Sequence, residues 1–403
     1  MKRDSMFVGM DVHQKSIDIT VAEAGHDGKV WHFGCIGGDL KALDKAVDKL
    51  LEAGGPLHVV YEAGPSGYVI YRHLQGRGLQ CTVVAPAQVP KKASDRIKTD
   101  RRDSQKLAVQ HRAGALRAIY VPEPADEAMR DLVRAREDAV EARRRARQHL
   151  NSFLLRHGRR YGGKTKWSTA HRGWLAEQRF EHSAQRVTLE EYLGTIAEAE
   201  QRVERVSQQI RTLLPTWRWH PYVEALQALR GVSWIVATTV VAEVGDLRRF
   251  RPRELMGFLG MVPSEYSSGD TKRRGTITKS GNAHVRRVLC EAAWAYAQRP
   301  AISRELLQRQ QALPQEIRAL AWKAQLRLCA RFAHLSAARK HRNKINTAIA
   351  RELTGFMWAI AGAVGQPATA TASVRGRATA KSGAHAQYVL RRQPRPARKR
   401  AAA

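Results

Sequence analysis

The segment MFVGMD, residues 6–11, is a short apolar run that ends in a carboxylate. A run of this length predicts a buried β-strand, with Asp11 at the point where the strand ends. Residues 16–22 alternate apolar and polar side chains, as a half-buried strand does, and residues 30–35 form a third apolar segment after a glycine-containing turn. The chain therefore begins with a predicted three-stranded meander whose first strand presents an acidic side chain.

Helix-like and strand-like segments alternate after this meander. Helical spacing of apolar residues and short apolar runs together predict helices over 39–51, 68–74 and 100–111, and strands over 57–61 and 81–84. The resulting order, β-β-β-α-β-α-β-α, is typical of a mixed α/β layer. We therefore expect an α/β domain over residues 1–115.

The middle of the chain has a different composition. Residues 127–157 and 188–214 are rich in Ala, Arg, Glu and Leu and carry apolar side chains at helical spacing. They predict two long helices, either an antiparallel coiled-coil-like pair or two ordinary packed helices. We expect a scaffold or dimerisation region over residues 116–216, without chemistry of its own.

The last third of the chain divides into a helical part and a tail. Residues 217–365 predict a mostly helical domain. Residues 366–403 are rich in Ala, Thr, Ser, Gly, Arg and Pro, and such a composition cannot bury a core. We expect a disordered basic tail that adds sequence-independent affinity for nucleic acid.

The charge balance identifies the class of partner. The 403 residues include 69 Lys and Arg against 37 Asp and Glu, a formal net charge of +32. Such an excess argues against an ordinary metabolic enzyme, because a surface this cationic repels itself unless a polyanion neutralises it. The excess is uneven, since residues 1–100 carry +1 and residues 301–403 carry +17. Nucleic acid is the expected partner, held mainly outside the first domain.

Cysteine use and hydropathy bear on the compartment. Four cysteines are widely spaced, without a C-x-x-C pair, which predicts buried thiols in a reducing cytosol rather than a zinc or redox site. The sequence has no stretch of about 18 uncharged apolar residues and no apolar segment typical of a signal peptide near Met1. We expect a cytoplasmic protein with no membrane partner.

Four carboxylates fall at the ends of predicted elements in the first domain. Asp11 and Glu62 end the first and fourth strands, and Asp100 and Asp103 lie three residues apart at the start of a helix. Helix capping explains each Asp alone. Carboxylates that converge repel one another unless a cation lies between them, and hard oxygen ligands suit Mg²⁺ or Mn²⁺. Metal ions held in this way support phosphodiester exchange.

These residues carry a family resemblance. The layout with VGMDV at 8–12, YEAG at 61–64 and KTDRRD at 98–103 resembles the RuvC-like, RNase H-fold domain of the DEDD insertion-sequence transposases, a family that includes the pilin-gene invertases and bridge-RNA-guided recombinases. In that family these positions form a metal-binding tetrad. The resemblance thus implies that Asp11, Glu62, Asp100 and Asp103 are catalytic residues and ligands of Mg²⁺ or Mn²⁺.

The second half of the chain supports the same resemblance. Residues 258–282 are similar to the C-terminal domain of these transposases, which supplies a serine nucleophile, although Met261 replaces the family's leucine. The resemblance places the nucleophile at Ser268, with Ser267 one register step away. Tyr266 is a chemically competent third choice that we interpret as a packing or positioning residue.

Glycine and basic residues in this half are candidates for nucleic-acid contact. Residues 229–237 resemble a helix-hairpin-helix whose tight turn at Gly231 would offer backbone N–H groups to a phosphate, and a plain helix-turn-helix corner is the alternative. The basic side chains nearby either bind backbone phosphates or form a solvated loop. The candidates are Gly231, Lys272, Arg273, Arg274, Lys279, Arg286 and Arg287.

Taken together, the resemblance implies a transposase or site-specific recombinase of a mobile DNA element, located in the bacterial cytoplasm and associated with the nucleoid. It further implies a homodimer or tetramer, with the acidic site and the serine drawn from different subunits, and a noncoding RNA encoded by the element that bridges target and donor DNA. The residues alone leave two alternatives open. One is a RuvC-type nuclease that resolves Holliday junctions with water as nucleophile, and the other is a non-catalytic nucleic-acid-binding protein.

Overall fold

The computed structural model describes residues 5–90 and 99–365. The chain divides into two compact units, residues 1–134 and 135–403. The basic tail predicted over residues 366–403 lies outside the described residues. The division into segments ending at residues 115, 216 and 365 stays a prediction.

The first unit is built around a five-stranded mixed sheet. Its elements are β1 (Met6–Val12), β2 (Ser16–Glu23), β3 (Val30–Gly37), α1 (Leu40–Ala53), β4 (Leu57–Glu62), α2 (Val69–Gly76), β5 (Gln80–Val84) and α3 (Asp100–Arg112). The strand order is β3-β2-β1-β4-β5, with β4 and β5 parallel to β1 and with β1, β2 and β3 forming an antiparallel meander. The predicted meander and element order are confirmed, and the mixed sheet is compatible with an RNase H-like domain.

Side-chain alternation gives this sheet two different faces. One face packs against α1 and α2 and buries the main core, which includes Met10, Ile19 and Tyr61. The other face is covered by α3, which lies across β1 and β2 so closely that a Cβ added at Gly9 would stand 2.2 Å from the Ser104 carbonyl oxygen. Residues adjacent in a strand point to opposite faces, so the carboxylate that follows Met10 lies on the α3 face.

As far as residue 365, the second unit contains helices and one small hairpin. Its elements are α4 (Pro124–Arg156), which begins before the boundary at residue 134, α5 (Thr169–Ala176), α6 (Ser183–Leu213), α7 (His220–Leu226), α8 (Trp234–Val244), α9 (Pro252–Phe258), β6 (Pro263–Glu265), β7 (Arg274–Ile277), α10 (Ala283–Ala293), α11 (Arg304–Gln310), α12 (Gln315–Ala337) and α13 (Arg342–Val364). The helical character predicted for this part of the chain is confirmed.

The two long helices of the middle region run antiparallel. Arg136 of α4 donates from Nε to Ser207 Oγ of α6 at 2.8 Å, and farther along α4 the ring of Phe153 lies 5.6 Å from that of Tyr192. Residues later in α4 therefore contact residues earlier in α6, as in an antiparallel pair of helices. The predicted helices are confirmed, while their description as a coiled coil stays a prediction.

Two further expectations can be compared with the structure. Cys81 and Cys329 are buried as predicted, but Cys35 is exposed, so the prediction of buried thiols is wrong for this residue. Cys35 belongs to β3, an edge strand that has a neighbour on one side only. In the described part of the chain, every helix is too short or too polar to cross a bilayer.

Candidate active site

Neighbouring strands place Asp11 and Glu62 side by side. Met10 of β1 pairs with Tyr61 of β4 in the parallel ladder, and the two carboxylates each come one residue later. Because Met10 and Tyr61 both point into the α1–α2 core, Asp11 and Glu62 point to the opposite face. Both are half-buried. The register of β1 and β4 therefore brings Asp11 and Glu62, which were predicted to end their strands, to the same edge of the sheet.

The start of α3 brings the remaining two carboxylates to this edge. Thr99 caps the helix by accepting a hydrogen bond from the Arg102 N–H at 3.3 Å, so that Asp100 occupies the first helical position. Asp103 lies one turn later on the same side. The negative charges of Asp100 and Asp103 both raise the pKa of Asp11, which places them within electrostatic reach of it.

His13 also belongs to the cluster, although the sequence analysis did not select it. Its Nε2 lies 3.3 Å from Asp11 Oδ2 and 3.6 Å from Asp100 Oδ1. Asp11, His13 and Asp100 each offer one potential ligand atom within 4.8 Å of the others. The sequence signal that could have identified His13 is its position two residues after Asp11. Because side chains alternate along a strand, residues two apart lie on the same face of the sheet.

The electrostatics of Asp11 indicate a site suited to a cation. Burial raises the pKa of this carboxyl above its ordinary value, the hydrogen bond and charge of His13 oppose the rise, and Asp100 and Asp103 add to it. A divalent ion would relieve this repulsion, and carboxylate oxygens are the donors that Mg²⁺ and Mn²⁺ prefer. The residues present therefore fit a divalent metal.

A groove with a volume of about 440 Å³ opens beside the cluster. It is lined by residues of the β1–β2 turn, including His13, and by Pro65 and Ser66 of the loop after β4. That loop is held by the buried Tyr61, whose hydroxyl donates to the Gly67 carbonyl at 3.1 Å. The acidic cluster thus borders an open groove that could admit part of an extended ligand.

The predicted serine lies at the tip of the β6–β7 hairpin. Ser268 and Thr271 exchange two backbone hydrogen bonds of 3.2 Å, and Ser268 is exposed. The hydroxyl of Ser267 instead donates to Glu265 Oε1 at 2.9 Å. Ser267 and then Arg274 lower the pKa of Glu265. The two serines therefore have different surroundings, and the choice of Ser268 as nucleophile stays a prediction.

The basic candidates divide into exposed residues and residues engaged in the fold. Lys272, Arg273 and Lys279 are exposed on the hairpin and the segment after it. Arg274 pairs with Glu265, with Nε 3.3 Å from Oε2. An exposed cation can reach a phosphate backbone without breaking an ion pair within the protein. Lys272, Arg273 and Lys279 are therefore better placed than Arg274 to contact nucleic acid.

Two candidates on α10 already have several protein partners. Arg286 donates from one guanidinium nitrogen to the carbonyls of Leu259, Ser280 and Gly281 at 3.0, 2.6 and 3.2 Å. Arg287 pairs with Glu137 and Glu291 at 2.9 and 2.8 Å. Their role in nucleic-acid binding stays a prediction, and their contacts indicate a structural contribution as well.

Gly231 lies in a tight turn between α7 and α8. Its φ of +79° favours glycine, and a Cβ here would stand 2.3 Å from the Ala292 carbonyl oxygen. Ser233 then caps α8 by accepting from the Val236 N–H. The turn is therefore shaped by packing against α10, and its predicted contact with phosphate is untested.

Comparison with known proteins decides the family. Residues 8–158 match a model of transposases of the DEDD, IS110 type, and residues 223–308 match the model described as the transposase IS116/IS110/IS902 family. A putative transposase, y4qE, of Sinorhizobium fredii (strain NBRC 101917 / NGR234) is 45% identical and is covered over 88% of its length by 88% of this chain. The transposase for insertion sequence element IS1533 of Leptospira borgpetersenii is 30% identical, with 99% of its length covered by 84% of this chain.

This chain belongs to the IS110/IS116 family of transposases. The resemblance to DEDD insertion-sequence transposases is thereby confirmed, and with it a role in the transposition of an insertion sequence and in DNA recombination. The serine-bearing C-terminal domain, the bridge RNA and the relation to pilin-gene invertases stay predictions. Membership suggests a DNA-binding enzyme that cuts and rejoins DNA and uses a divalent metal. The four acids of the transposase lie in the first matched region and Ser268 lies in the second.

Proposed function

We propose that this transposase cuts and rejoins DNA strands of a mobile insertion element, with Ser268 as nucleophile and with a divalent cation held by Asp11, Glu62, Asp100 and Asp103. The observation that carries the proposal is the cluster of Asp11, Asp100 and His13 at the carboxyl edge of the sheet, in a chain of this family. Mg²⁺ and Mn²⁺ both suit these oxygen donors.

The acidic residues of the proposed metal site come from the sheet and from α3. Asp11 and Glu62 extend from the sheet and Asp100 and Asp103 from α3, so the site can bind an ion from two directions. His13 donates a hydrogen bond from Nε2 to Asp11 Oδ2 at 3.3 Å and lies within ion-pair distance of Asp100 Oδ1 at 3.6 Å, which helps to orient both carboxylates. A bound cation would neutralise these charges and polarise a DNA phosphate.

The serine step conserves the energy of the phosphodiester bond. The Ser268 Oγ attacks a backbone phosphorus and forms a phosphoserine ester while the bond from phosphorus to one sugar oxygen breaks. The hydroxyl gives up its proton and the departing sugar oxygen gains one. A sugar hydroxyl from another strand then attacks the same phosphorus, releases Ser268 and completes the exchange without ATP.

Basic residues near the hairpin would hold the DNA in place. Lys272, Arg273 and Lys279 are exposed and would contact backbone phosphates, which positions a strand without reading its sequence. We include Arg274, Arg286, Arg287 and the Gly231 turn in the same surface. This binding explains why much of the +32 charge lies outside the first hundred residues.

The further partners in this proposal follow the family resemblance. They are an element-encoded noncoding RNA and other copies of the chain, in a dimer or tetramer whose acidic site and serine come from different subunits. A large excess of positive charge supports a second nucleic-acid partner besides a DNA duplex. RNA that copurifies with the full-length protein, identified by sequencing, would test the first of these partners.

The decisive experiment traps a covalent protein–DNA adduct on a fragment that carries both ends of the element. We expect the wild-type chain and Ser267→Ala to form the adduct, and Ser268→Ala to lose it completely. Asp11→Ala should abolish strand cleavage. Ser267→Ala is a matched control because it removes a hydroxyl one residue away.

Three results would contradict the proposal. If Ser268→Ala cuts DNA normally, Ser268 is not the nucleophile. If the wild-type chain cuts DNA without forming any adduct, a junction-resolving nuclease that uses water is favoured instead. Intact cleavage by Asp11→Ala would exclude both enzymatic mechanisms at the acidic site.

A further inference from the structure

A fifth carboxylate lies beneath α3, next to the acidic cluster. Asp18 of β2 is the cross-strand partner of Asp11 and therefore points to the same face of the sheet. It is only 8% exposed. A buried carboxylate is costly unless its oxygens are hydrogen-bonded, so the partners of Asp18 indicate its task.

The partners of Asp18 come from the helix that covers this face of the sheet and from the neighbouring strand β3. Ser104 of α3 donates from Oγ to Asp18 Oδ1 at 2.7 Å, and His32 Nε2 of β3 lies 3.0 and 3.1 Å from the two carboxylate oxygens. A carboxylate only accepts hydrogen bonds, so His32 is the donor at Nε2. Both oxygens of Asp18 thus have donors within the protein, and among the described residues Asp18 is not one of the side chains whose possible ligand atoms cluster.

A short chain of hydrogen bonds connects α3 to β2. The fully buried Ser104 has one hydroxyl proton, and its nearest acceptor is Asp18 Oδ1 at 2.7 Å, with the Arg101 carbonyl farther away at 3.1 Å. When this proton goes to Asp18, the contact of 2.9 Å with Thr20 uses the Thr20 proton. Ser104 follows Asp103 directly and lies one turn after Asp100. The residue that anchors the helix therefore belongs to the same turn as the two acids that α3 supplies.

Close packing leaves little freedom around this anchor. At Gly9 of β1, a Cβ would stand 2.2 Å from the Ser104 carbonyl oxygen and 2.4 Å from the Ala108 nitrogen. The helix backbone thus rests directly on β1 beside Asp11. This contact sets the distance of α3 from the sheet, and Leu107 and Arg112 hold the later turns of the helix against it. Ser104 and its partners are the contacts that hold the first turn, which carries Asp100 and Asp103.

We propose that Asp18, through Ser104, is a positioning residue that holds the first turn of α3 so that Asp100 and Asp103 face Asp11 in the geometry that binds the metal. The inference rests on the proposed metal site and adds a residue that does not itself touch the ion. A network that only stabilised the fold would contribute to unfolding free energy without changing metal affinity.

The test measures Mn²⁺ binding by the folded, full-length protein, using electron paramagnetic resonance to detect free ion. We expect Asp18→Ala and Ser104→Ala to raise the dissociation constant about tenfold, in the range seen for residues that orient metal ligands. Asp18→Asn keeps an oxygen that can accept from Ser104 and should bind nearly as well as wild type. Hydrogen exchange should also accelerate in α3 in the two alanine variants.

Asp44→Ala is the matched control. Asp44 of α1 pairs with His73 of α2 at 2.7 Å, a similar Asp–His contact in the same unit on helices that carry none of the acidic cluster. This variant should lose stability while its Mn²⁺ affinity stays at the wild-type value. If Asp18→Ala does not fold, Ser104→Ala decides the outcome.

Two outcomes would overturn the inference, and they differ in what they say about the site. Wild-type affinity in both alanine variants would reduce the network to a structural role and leave the metal site standing. Failure of the wild-type protein itself to bind Mn²⁺ would overturn the metal site and the inference together.

Discussion

Asp11 combines burial with three charged or titratable neighbours. Burial and the charges of Asp100 and Asp103 raise the pKa of its carboxyl, and His13 counteracts them only in part. The folded protein therefore binds this proton more tightly than the unfolded chain does. Without a metal, ionisation of Asp11 lowers stability as the pH rises above the ordinary value of 3.8.

Asp11→Asn should therefore have opposite effects with and without metal. The metal-free variant is expected to be at least as stable as wild type at neutral pH, because the substitution removes the repelled charge. Mn²⁺ at about 100 times its dissociation constant should stabilise the wild-type protein by about 2.7 kcal/mol and the variant hardly at all. Thermal unfolding with and without Mn²⁺ measures both effects, and a variant stabilised by Mn²⁺ as much as wild type would contradict the assignment.

The pH dependence of metal binding follows from the same pKa shift. Because the carboxylate form binds the ion, Mn²⁺ affinity of the wild type should begin to fall at a higher pH than for a carboxyl with an ordinary pKa. Titrations at successively lower pH check this. Affinity that stays constant until well below pH 4 would show that Asp11 does not limit binding.

At the scale of the element, the β6–β7 hairpin combines an exposed tip with an anchored base. Ser268 is at the tip, while Arg286 of α10 joins the carbonyls of Leu259, Ser280 and Gly281 at the base. Lys272 lies on the exposed part of the same hairpin. One cation thus stabilises the hairpin internally and the other is available to an external anion.

Arg286→Ala and Lys272→Ala should consequently separate stability from DNA affinity. Arg286→Ala is expected to lower the unfolding free energy by about 1–3 kcal/mol, because charged hydrogen bonds to three carbonyls are lost. Lys272→Ala should change stability by less than about 0.5 kcal/mol and reduce the slope of log affinity against log salt by about 0.9. Chemical denaturation and salt-dependent DNA binding measure the two quantities.

The opposite pattern would revise the roles of these cations. Unchanged stability together with a lower salt slope in Arg286→Ala would identify this arginine as a direct phosphate contact. An unchanged salt slope in Lys272→Ala would leave this lysine as a solvated surface residue.

At the scale of the whole molecule, the two matched family regions separate the acidic residues from the serine. Asp11, Glu62, Asp100 and Asp103 belong to one compact unit and Ser268 to the other. The first hundred residues are nearly neutral and the last hundred are strongly basic, so the proposed metal site and the proposed phosphate-binding residues are separated along the chain.

Mixing two inactive variants should test whether subunits share their sites. Asp11→Ala and Ser268→Ala are each expected to be inactive alone, whereas co-expression should restore strand exchange, because a mixed oligomer holds one intact acidic site and one intact serine in different subunits. Co-expression of Asp11→Ala with Asp100→Ala is the control, since both defects lie in the same site. Absence of rescue in the first pair would show that acids and serine act within one chain.

The sequence by itself determined the alternation of elements in the first unit, the long helices of the second and the four acids at element ends. Apolar periodicity and element boundaries are local properties, so they can be read from neighbouring residues. The family resemblance extended this reading to the serine segment, where spacing alone would have predicted an ordinary glycine-flanked turn.

Only the tertiary structure decided which other side chains join the acidic cluster. His13 meets Asp100 across 87 residues of sequence, and Asp18 meets Ser104 across 86. Such contacts depend on the order in which the strands pair and on how closely α3 approaches Gly9, and both bring together residues that are far apart in the sequence. The same reason explains Arg286, whose charge predicted a phosphate contact and whose packing gave it three carbonyl partners within the protein.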